Sequence, residues 1–435
     1  MKLFDLSLKL AGFPMKEAQE QFAEILNVPE NDYEAFIEKK KSEIVEFHLE
    51  NNSFYRDLCK GKNTENWNDL PVLTKADLQQ PLAQRLSDGY TEKNVFVNKT
   101  SGSSGTPFVF AKDKFSHALT WASTIHLFGE HSINFNHSYQ ARFYGIPKDF
   151  LGYRKERLKD VLSNRYRFPI FDLSDIELEK ILKKFKQEKF DYINGYTSSI
   201  VLFAKFLEHQ KIILKEICPS LKGCFVTSEM LFPDDKKLME VQFGIPVINE
   251  YGASELGIIA FQNPKGDWHV NSETLFVEFL DENNKPVSYG KEGKVVITSL
   301  YNKAHPFIRY EIGDMGILDP KSTFKYPILN NLIGRTNDVA VLPSGKKSPG
   351  LTFYYVTKSI IEDNGAVKEF VVKQVKINTF EIEYVSSTSL EEAQIKKIKE
   401  AIALYLEPNL IVNFSRKDFL QRTKSGKLKQ FVSLI

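Results

Sequence analysis

Apolar side chains recur at helical spacing in two early segments, residues 17–26 and 32–49, where Phe36, Ile37, Ile44 and Phe47 share a face. That spacing predicts two amphipathic helices. The first ten residues alternate polar with apolar, and Asp5 and Lys9 interrupt any apolar run that could act as a secretion signal. Pro71-Val72-Leu73-Thr74-Lys75-Ala76-Asp77 reads as a loop entering a helix, with Thr74 as N-cap. Phe96 and Val97 suggest a strand, and apolar character resumes at Phe108 to Phe110. The Gly/Ser/Thr cluster between them is therefore expected to join two short strands.

From 139 to 262 strand-like and helix-like segments alternate. Ser174-Asp175-Ile176-Glu177 has the form of a capping box, opening a helix on Ile181, Leu182 and Phe185. Tyr192 to Tyr196 reads as a strand followed by a helix over 197–209; Phe225-Val226 and Val247-Ile248 read as short buried strands followed by polar loops. Such alternation predicts parallel β-α units, whose ligands bind at the carboxyl ends of the strands. Residues 268–318 are β-rich, with a hairpin turn at 281–284 and a strand at 295–297. Past Gly334 the texture changes. A helix candidate, strands at 369–375 and 379–385, a helix opened by Ser389-Leu390-Glu391-Glu392, a last strand at 410–414 and a basic tail follow. The expectation is an α/β protein: a large N-terminal domain (1–334) of β-α subdomains plus a β-rich part, and a small mobile C-terminal α/β domain (338–435).

Composition narrows the class. The 435 residues carry 58 basic and 56 acidic side chains, a net charge of +2, which argues against a polybasic nucleic-acid binder. Hydrophobic residues make up 42% and charged residues 26%, as in ordinary globular chains. The three cysteines, Cys59, Cys218 and Cys224, form no C-x-x-C pair, which disfavours a zinc site or a disulfide framework. No run of about 18 apolar residues occurs, so a cytoplasmic protein without a membrane span is expected.

Five separated segments carry candidate chemistry. Thr100-Ser101-Gly102-Ser103-Ser104-Gly105-Thr106-Pro107 offers hydroxyls and free N–H groups to phosphate oxygens, but lacks the Gly-Lys-Ser/Thr ending of a Walker loop. Asn249-Glu250-Tyr251-Gly252-Ala253-Ser254-Glu255 places an aromatic plate and a carboxylate after an apolar strand, and a single carboxylate is what Mg²⁺ takes when phosphates supply its other ligands. His305 to Asp314 ends in an aspartate after a glycine turn, placed to accept two ribose hydroxyls. Gly334-Arg335-Thr336-Asn337-Asp338 marks the change in texture, and Thr423-Lys424-Ser425-Gly426-Lys427 puts a lysine on a glycine-containing loop. Taken singly, each has a plainer reading: a flexible connection, a surface glutamate, a turn aspartate, a solvated tail lysine.

Together and in this order they resemble the adenylate-forming superfamily of acyl-CoA synthetases, adenylation domains and firefly-type luciferases. The likeness spans about 100–427. The stretch Leu70-Pro71-Val72-Leu73-Thr74-Lys75 is similar to the phenylacetate–CoA ligase branch, CapK-like members included. The resemblance implies that Thr100, Ser101, Gly102, Ser103, Ser104, Gly105 and Thr106 hold the β- and γ-phosphates of ATP. Ser228, Glu229 and Met230 would lie along adenine, with Asn249, Glu250, Tyr251, Gly252, Ala253 and Ser254 completing that site. Asp314 would take the ribose hydroxyls with Arg335 nearby, Glu255 would bind Mg²⁺, Asn337 would be the hinge, and Lys427 would be the catalytic lysine. Tyr144, Gly145, Tyr196, Phe225, Tyr251 and Gly252 are the candidate walls of an acyl pocket. Two departures stand out: most of the superfamily has lysine where Phe108 follows the phosphate-loop proline, and many members have aspartate where Asn337 stands.

The function implied is ATP-dependent activation of a carboxylic acid, aryl or otherwise apolar, followed by transfer to a thiol, most simply that of coenzyme A. Transfer to a carrier-protein thiol, an amine or a hydroxyl is the alternative, and a non-catalytic nucleotide binder is a third reading. The partners expected are the acid, ATP and coenzyme A, with room for a homodimer and no nucleic acid.

Overall fold

The computed structural model describes residues 3–100, 108–146, 150–170, 172–335, 339–345, 347–349, 367–422 and 428–435. Four helices open the chain: α1 (Leu3–Leu10), α2 (Met15–Asn27), α3 (Glu30–Asn51) and α4 (Ser53–Leu58). The alternating first ten residues form a helix because Phe4 and Leu8 are also one turn apart, and both are buried. The expected helix after Thr74 is only a 3₁₀ turn, Asp77–Gln79. Gln80 precedes Pro81, which disfavours helical backbone, and its ψ is 156°. Thr74 does not cap that turn; its N–H and hydroxyl both donate to Asp77 Oδ2, at 2.8 and 2.7 Å.

His48 ties α3 to the body of the protein. Its Nε2–H donates to the Asn302 carbonyl (3.0 Å), and its Nδ1 lies 3.2 Å from the Ser87 hydroxyl. Burial lowers its pKa from 6.5 to about 4, so the folded protein holds it neutral. Its contribution to stability is present above pH 6.5 and is lost as pH falls through the folded pKa, because only the unfolded chain takes up the proton between the two values. The gap in Tm between the wild type and His48→Gln, measured at pH 7.5 and again at pH 4.5, should therefore shrink at the lower pH. A gap that stays constant would refute the buried neutral imidazole.

Strands β1 (Phe96–Lys99) and β2 (Val109–Lys112) pair antiparallel around the Gly/Ser/Thr segment and lead into α5 (Lys114–Glu130). The alternating region then unfolds as predicted: β3 (Gln140–Phe143), α6 (Phe150–Leu162), β4 (Arg165–Phe168), α7 (Asp175–Gln187), β5 (Tyr192–Tyr196), α8 (Thr197–Gln210), α9 (Leu214–Ile217), β6 (Gly223–Thr227), α10 (Pro233–Phe243), β7 (Val247–Ala253), β8 (Gly257–Gln262) and β9 (Trp268–Val270). They build one seven-stranded sheet in the order β4-β3-β5-β6-β7-β8-β9, parallel through β7 and antiparallel beyond it. One core lies between this sheet and α7, α8 and α10; another, around Phe128, Phe225 and Phe261, covers its other face. The capping box at Ser174 is not formed: its side chain makes no cap bond, and its N–H donates to Asp172 instead.

Next come β10 (Leu275–Leu280), β11 (Glu292–Ser299), β12 (Tyr310–Leu318) and β13 (Leu329–Arg335), an antiparallel four-stranded sheet in sequence order. The turn expected at 281–284 is present, with the Asn284 N–H bonded to the Asp281 carbonyl. A short hairpin, β14 (Val339–Val341) and β15 (Lys347–Pro349), precedes the last sheet. That sheet comprises β16 (Val367–Lys376), β17 (Thr379–Ser386), β18 (Ile411–Lys417) and β19 (Phe431–Ser433) in the order β18-β17-β16-β19, packed with the helix Glu392–Tyr405. The chain does not finish in a polar tail: β19 lies parallel to β16, with Phe431 buried in the core. The helix candidate after residue 350 lies outside the described residues.

Candidate active site

The carboxyl ends of the parallel strands meet in one row. Tyr196 ends β5, Thr227 ends β6, and both align with Glu250 of β7 in the sheet register. The β5 end approaches β3 so closely that a Cβ on Gly195 would sit 2.5 Å from the Phe143 carbonyl oxygen. Beyond β3, the Tyr144 ring lies 4.5 Å from the Tyr196 ring and 3.9 Å from the Arg142 guanidinium. Thr227 donates to Glu250 (2.8 Å), and burial raises the Glu250 pKa while Arg142 works against that rise. Tyr144, Gly145, Tyr196 and Glu250 are thus neighbours on one end of the sheet. Phe225 is not one of them. It points to the opposite face, fully buried, its ring stacked on Phe128 at 4.6 Å, and that packing leaves no space for a ligand. Side chains alternate along a strand, so the residue beside Val226 had to face the other core.

The segment Asn249–Ala253 belongs to β7 itself rather than to a polar loop after it. Its Tyr251 hydroxyl donates to Asp314 Oδ2 at 2.6 Å, and Asp314 pairs in register with Arg335 of β13. Three separately read segments therefore converge on one point, where β7 of the large sheet meets β12 and β13. Ser254 is exposed in the turn that follows, and Glu255 is buried there, 4% exposed. The turn returns through Gly257 at φ +92°, where a Cβ would strike Thr120 at 2.6 Å, so only glycine fits.

Glu255 is held from two sides. Tyr310 donates to its Oε1 (3.1 Å), and the buried Lys112 ammonium, bonded to the Thr120 hydroxyl at 3.1 Å, attracts it electrostatically. Burial lowers the Lys112 pKa to about 8, with Glu255 and Asp113 opposing that shift. The Phe108 side chain is core, packed on Phe307 and Tyr310, and β2, which follows it, ends in Lys112. The sequence signal for Lys112 is a lone lysine after the apolar Phe110-Ala111 pair. Among the described residues Glu255 Oε2 takes no hydrogen bond, and no cluster of three or more acidic, histidine or cysteine side chains occurs. That donor set fits a metal ion that takes one protein carboxylate and relies on a bound polyphosphate for the rest.

Thr100 anchors the phosphate-loop segment. Its N–H donates to the Phe108 carbonyl (3.0 Å), and its hydroxyl accepts from the Phe108 N–H (3.1 Å). Ser101 to Thr106 lie outside the described residues, as do Asn337 and Lys427.

The loop after β6 joins the large sheet to the last part of the chain. Ser228 adopts φ +71°, rare for a non-glycine residue and a mark of a constrained loop. Glu229 accepts the Ser198 N–H at Oε2 and the Leu428 N–H at Oε1, both at 2.7 Å, and burial raises its pKa. Arg422 spans the same junction, bonded to Ser198 (3.0 Å) and ion-paired with Glu369 (2.6 Å). Phe232, just past the loop, is buried in the core of the last sheet alongside Met230. Leu428, the first described residue after 423–427, is thereby tied to the loop after β6.

No family model matches the chain. It is 23% identical over 419 residues to protein CapK of Staphylococcus aureus, covering 91% of this chain and 88% of that one. It is 24% identical over 384 residues to the phenylacetate–coenzyme A ligase of Aromatoleum evansii, covering 83% and 84%. Its fold matches 2-hydroxyisobutyryl-CoA ligase in the postadenylation state, with a TM-score of 0.72 at 16% identity over 93% of this chain and 90% of that one. The chain thus resembles the adenylate-forming superfamily, and within it the phenylacetate–CoA ligase-like branch. The same ligase in its thioester-forming state matches with a TM-score of 0.59 at 16% identity. No helix among the described residues is long and apolar enough to cross a membrane.

Proposed function

We propose that this protein is an AMP-forming acid–thiol ligase that activates a carboxylic acid as its acyl-adenylate and passes the acyl group to coenzyme A. The observation that carries the reading is the Tyr251–Asp314 hydrogen bond, because it brings together two of the separately read segments at the ends of the sheets, while the Glu229–Leu428 bond ties the last part of the chain to the loop after β6.

In the first half-reaction a carboxylate oxygen of the acid attacks the α-phosphorus of ATP, and pyrophosphate leaves. Both reactants are anions, so the site must offset their repulsion and align them. Thr100 to Thr106 would cradle the departing phosphates, Tyr251 and Asp314 would fix the nucleoside, and the Lys427 ammonium would bridge carboxylate and α-phosphate. Glu255 would hold Mg²⁺, which supplies positive charge to the polyphosphate when bound. Tyr310 and the buried Lys112 ammonium hold that carboxylate in place. In the second half-reaction the thiol attacks the acyl carbonyl, its proton is lost, and AMP leaves. The Tyr144–Tyr196 pair favours an aryl or other flat apolar acid.

We further read residues 1–334 as the large domain and 338–435 as a lid that turns about Asn337 between the two steps. Among the described residues the junction is crossed by polar bonds (Glu229 to Leu428, Arg422 to Ser198, Lys368 to Asp175 at 2.8 Å, and Lys205 to the Lys368 carbonyl at 3.2 Å) and by Phe232 and Met230 packed on the last sheet's core, all of which a turning lid would have to release.

The deciding experiment is pyrophosphate–ATP exchange over a panel of aliphatic and aryl acids. Acid-dependent exchange, strongest with an aryl acid, is expected. No exchange with any acid would overturn the reading. Single-turnover assays with coenzyme A, carrier proteins and amines then identify the acceptor, and transfer to coenzyme A is expected to be fastest.

A further inference from the structure

Helix α6 is packed inside out. Its polar residues face the protein: Glu156 pairs with Arg167 (2.8 Å), Asp160 pairs with Arg165 (2.7 Å) and Arg167 (3.0 Å), and Arg157 donates to the Arg167 carbonyl (2.8 Å). Asp160 is only 2% exposed. Its apolar residues face out, with Leu151 78%, Leu158 62%, Val161 69% and Leu162 42% exposed. A helix covering a sheet edge ordinarily does the reverse. Helix α1 lies against α6 and extends the same face with Leu10 and Leu6.

Charge selects the occupant. The outward positions among these leucines hold Lys9, Arg154, Lys155 and Lys159, the last also paired with Glu156 at 2.7 Å, whereas Asp160 is turned into the arginine network, Glu156 is shared between Arg167 and Lys159, and Asp5 is the one exposed acid of the two helices. A second copy of the chain would bring these cations against their own counterparts, which disfavours self-pairing. An anionic surface with an apolar layer beneath it complements both features at once. We propose that α1 and α6 form a peripheral docking face for an anionic lipid bilayer, with the leucines in the acyl boundary and the lysines and arginine at headgroup phosphates. The sheet end opposite the active-site row adjoins this face, through Asn164 and Arg165 at the start of β4, so docking would leave the strand carboxyl ends open to substrates.

The test is co-sedimentation of the full chain with vesicles of phosphatidylcholine alone and of phosphatidylcholine mixed with phosphatidylglycerol. Binding is expected only to the mixed vesicles, weakened about tenfold by raising the salt well above physiological strength. Leu158→Ser combined with Val161→Ser, and separately Lys155→Glu, should each reduce it about tenfold or more while leaving Tm and pyrophosphate exchange unchanged, since all three side chains are exposed. Failure to bind either vesicle, or binding indifferent to the serine pair, overturns the proposal. A dimer in light scattering that the serine pair abolishes, without vesicle binding, overturns it in favour of a second copy. Loss of exchange activity alone would bear on the ligase reading and not on this surface.

Discussion

Lys427→Ala should cut acyl-adenylate formation by about two orders of magnitude or more, at least roughly 2.7 kcal/mol of transition-state stabilisation. The ammonium is needed only while carboxylate and α-phosphate approach, so thiol attack on a supplied acyl-adenylate should be far less affected. Rapid-quench measurement of the two half-reactions separately checks this. The Leu428 N–H donates to Glu229, which ties this part of the chain to the loop after β6. Equal loss in both steps would mean a shared binding role or misfolding. No loss in either would mean that Lys427 is a solvated residue.

Glu255→Gln should sharply raise the Mg²⁺ concentration needed for pyrophosphate release, because the side chain keeps its size and loses the charge that holds the metal. It should also cost stability, on the order of 2 kcal/mol, because Lys112 is buried and would lose the carboxylate that balances it. The two effects separate in the double variant Glu255→Gln/Lys112→Met. Removing both charges should restore most of the Tm and none of the metal dependence. Calorimetric titration of Mg·ATP gives a readout of the metal site that does not depend on turnover. Wild-type affinity in the single variant would exclude Glu255 as the ligand.

The segments that determine the chemistry were legible in the chain because they are local. An Asn-x-Tyr-Gly-x-Ser-Glu run, an aspartate after Ile312-Gly313 and a Gly/Ser loop between two short strands each depend on neighbours in sequence; β1 and β2 formed near where the pattern put them, whereas β7 runs on through the expected polar loop to Ala253 and Asp314 lies within β12 rather than after a turn. The β-α alternation likewise sufficed for a parallel sheet and its carboxyl-end row. What separated Phe225 from Tyr196 was the face of the sheet each strand position occupies, and that depends on which helices cover it. The Tyr251–Asp314 bond joins residues 63 apart, and the Lys112–Glu255 pair and the Glu229–Leu428 bond reach further still. No periodicity encodes such contacts. They exist because three sheets pack against one another and exclude water between them, so each buried charge must find its partner across that packing. The outward leucines of α6 follow the same rule: its amphipathic pattern specified a helix, but the arginines of β4 decided which face turned inward, since four ionised groups at a sheet edge are stabilised more by one another than by leucine.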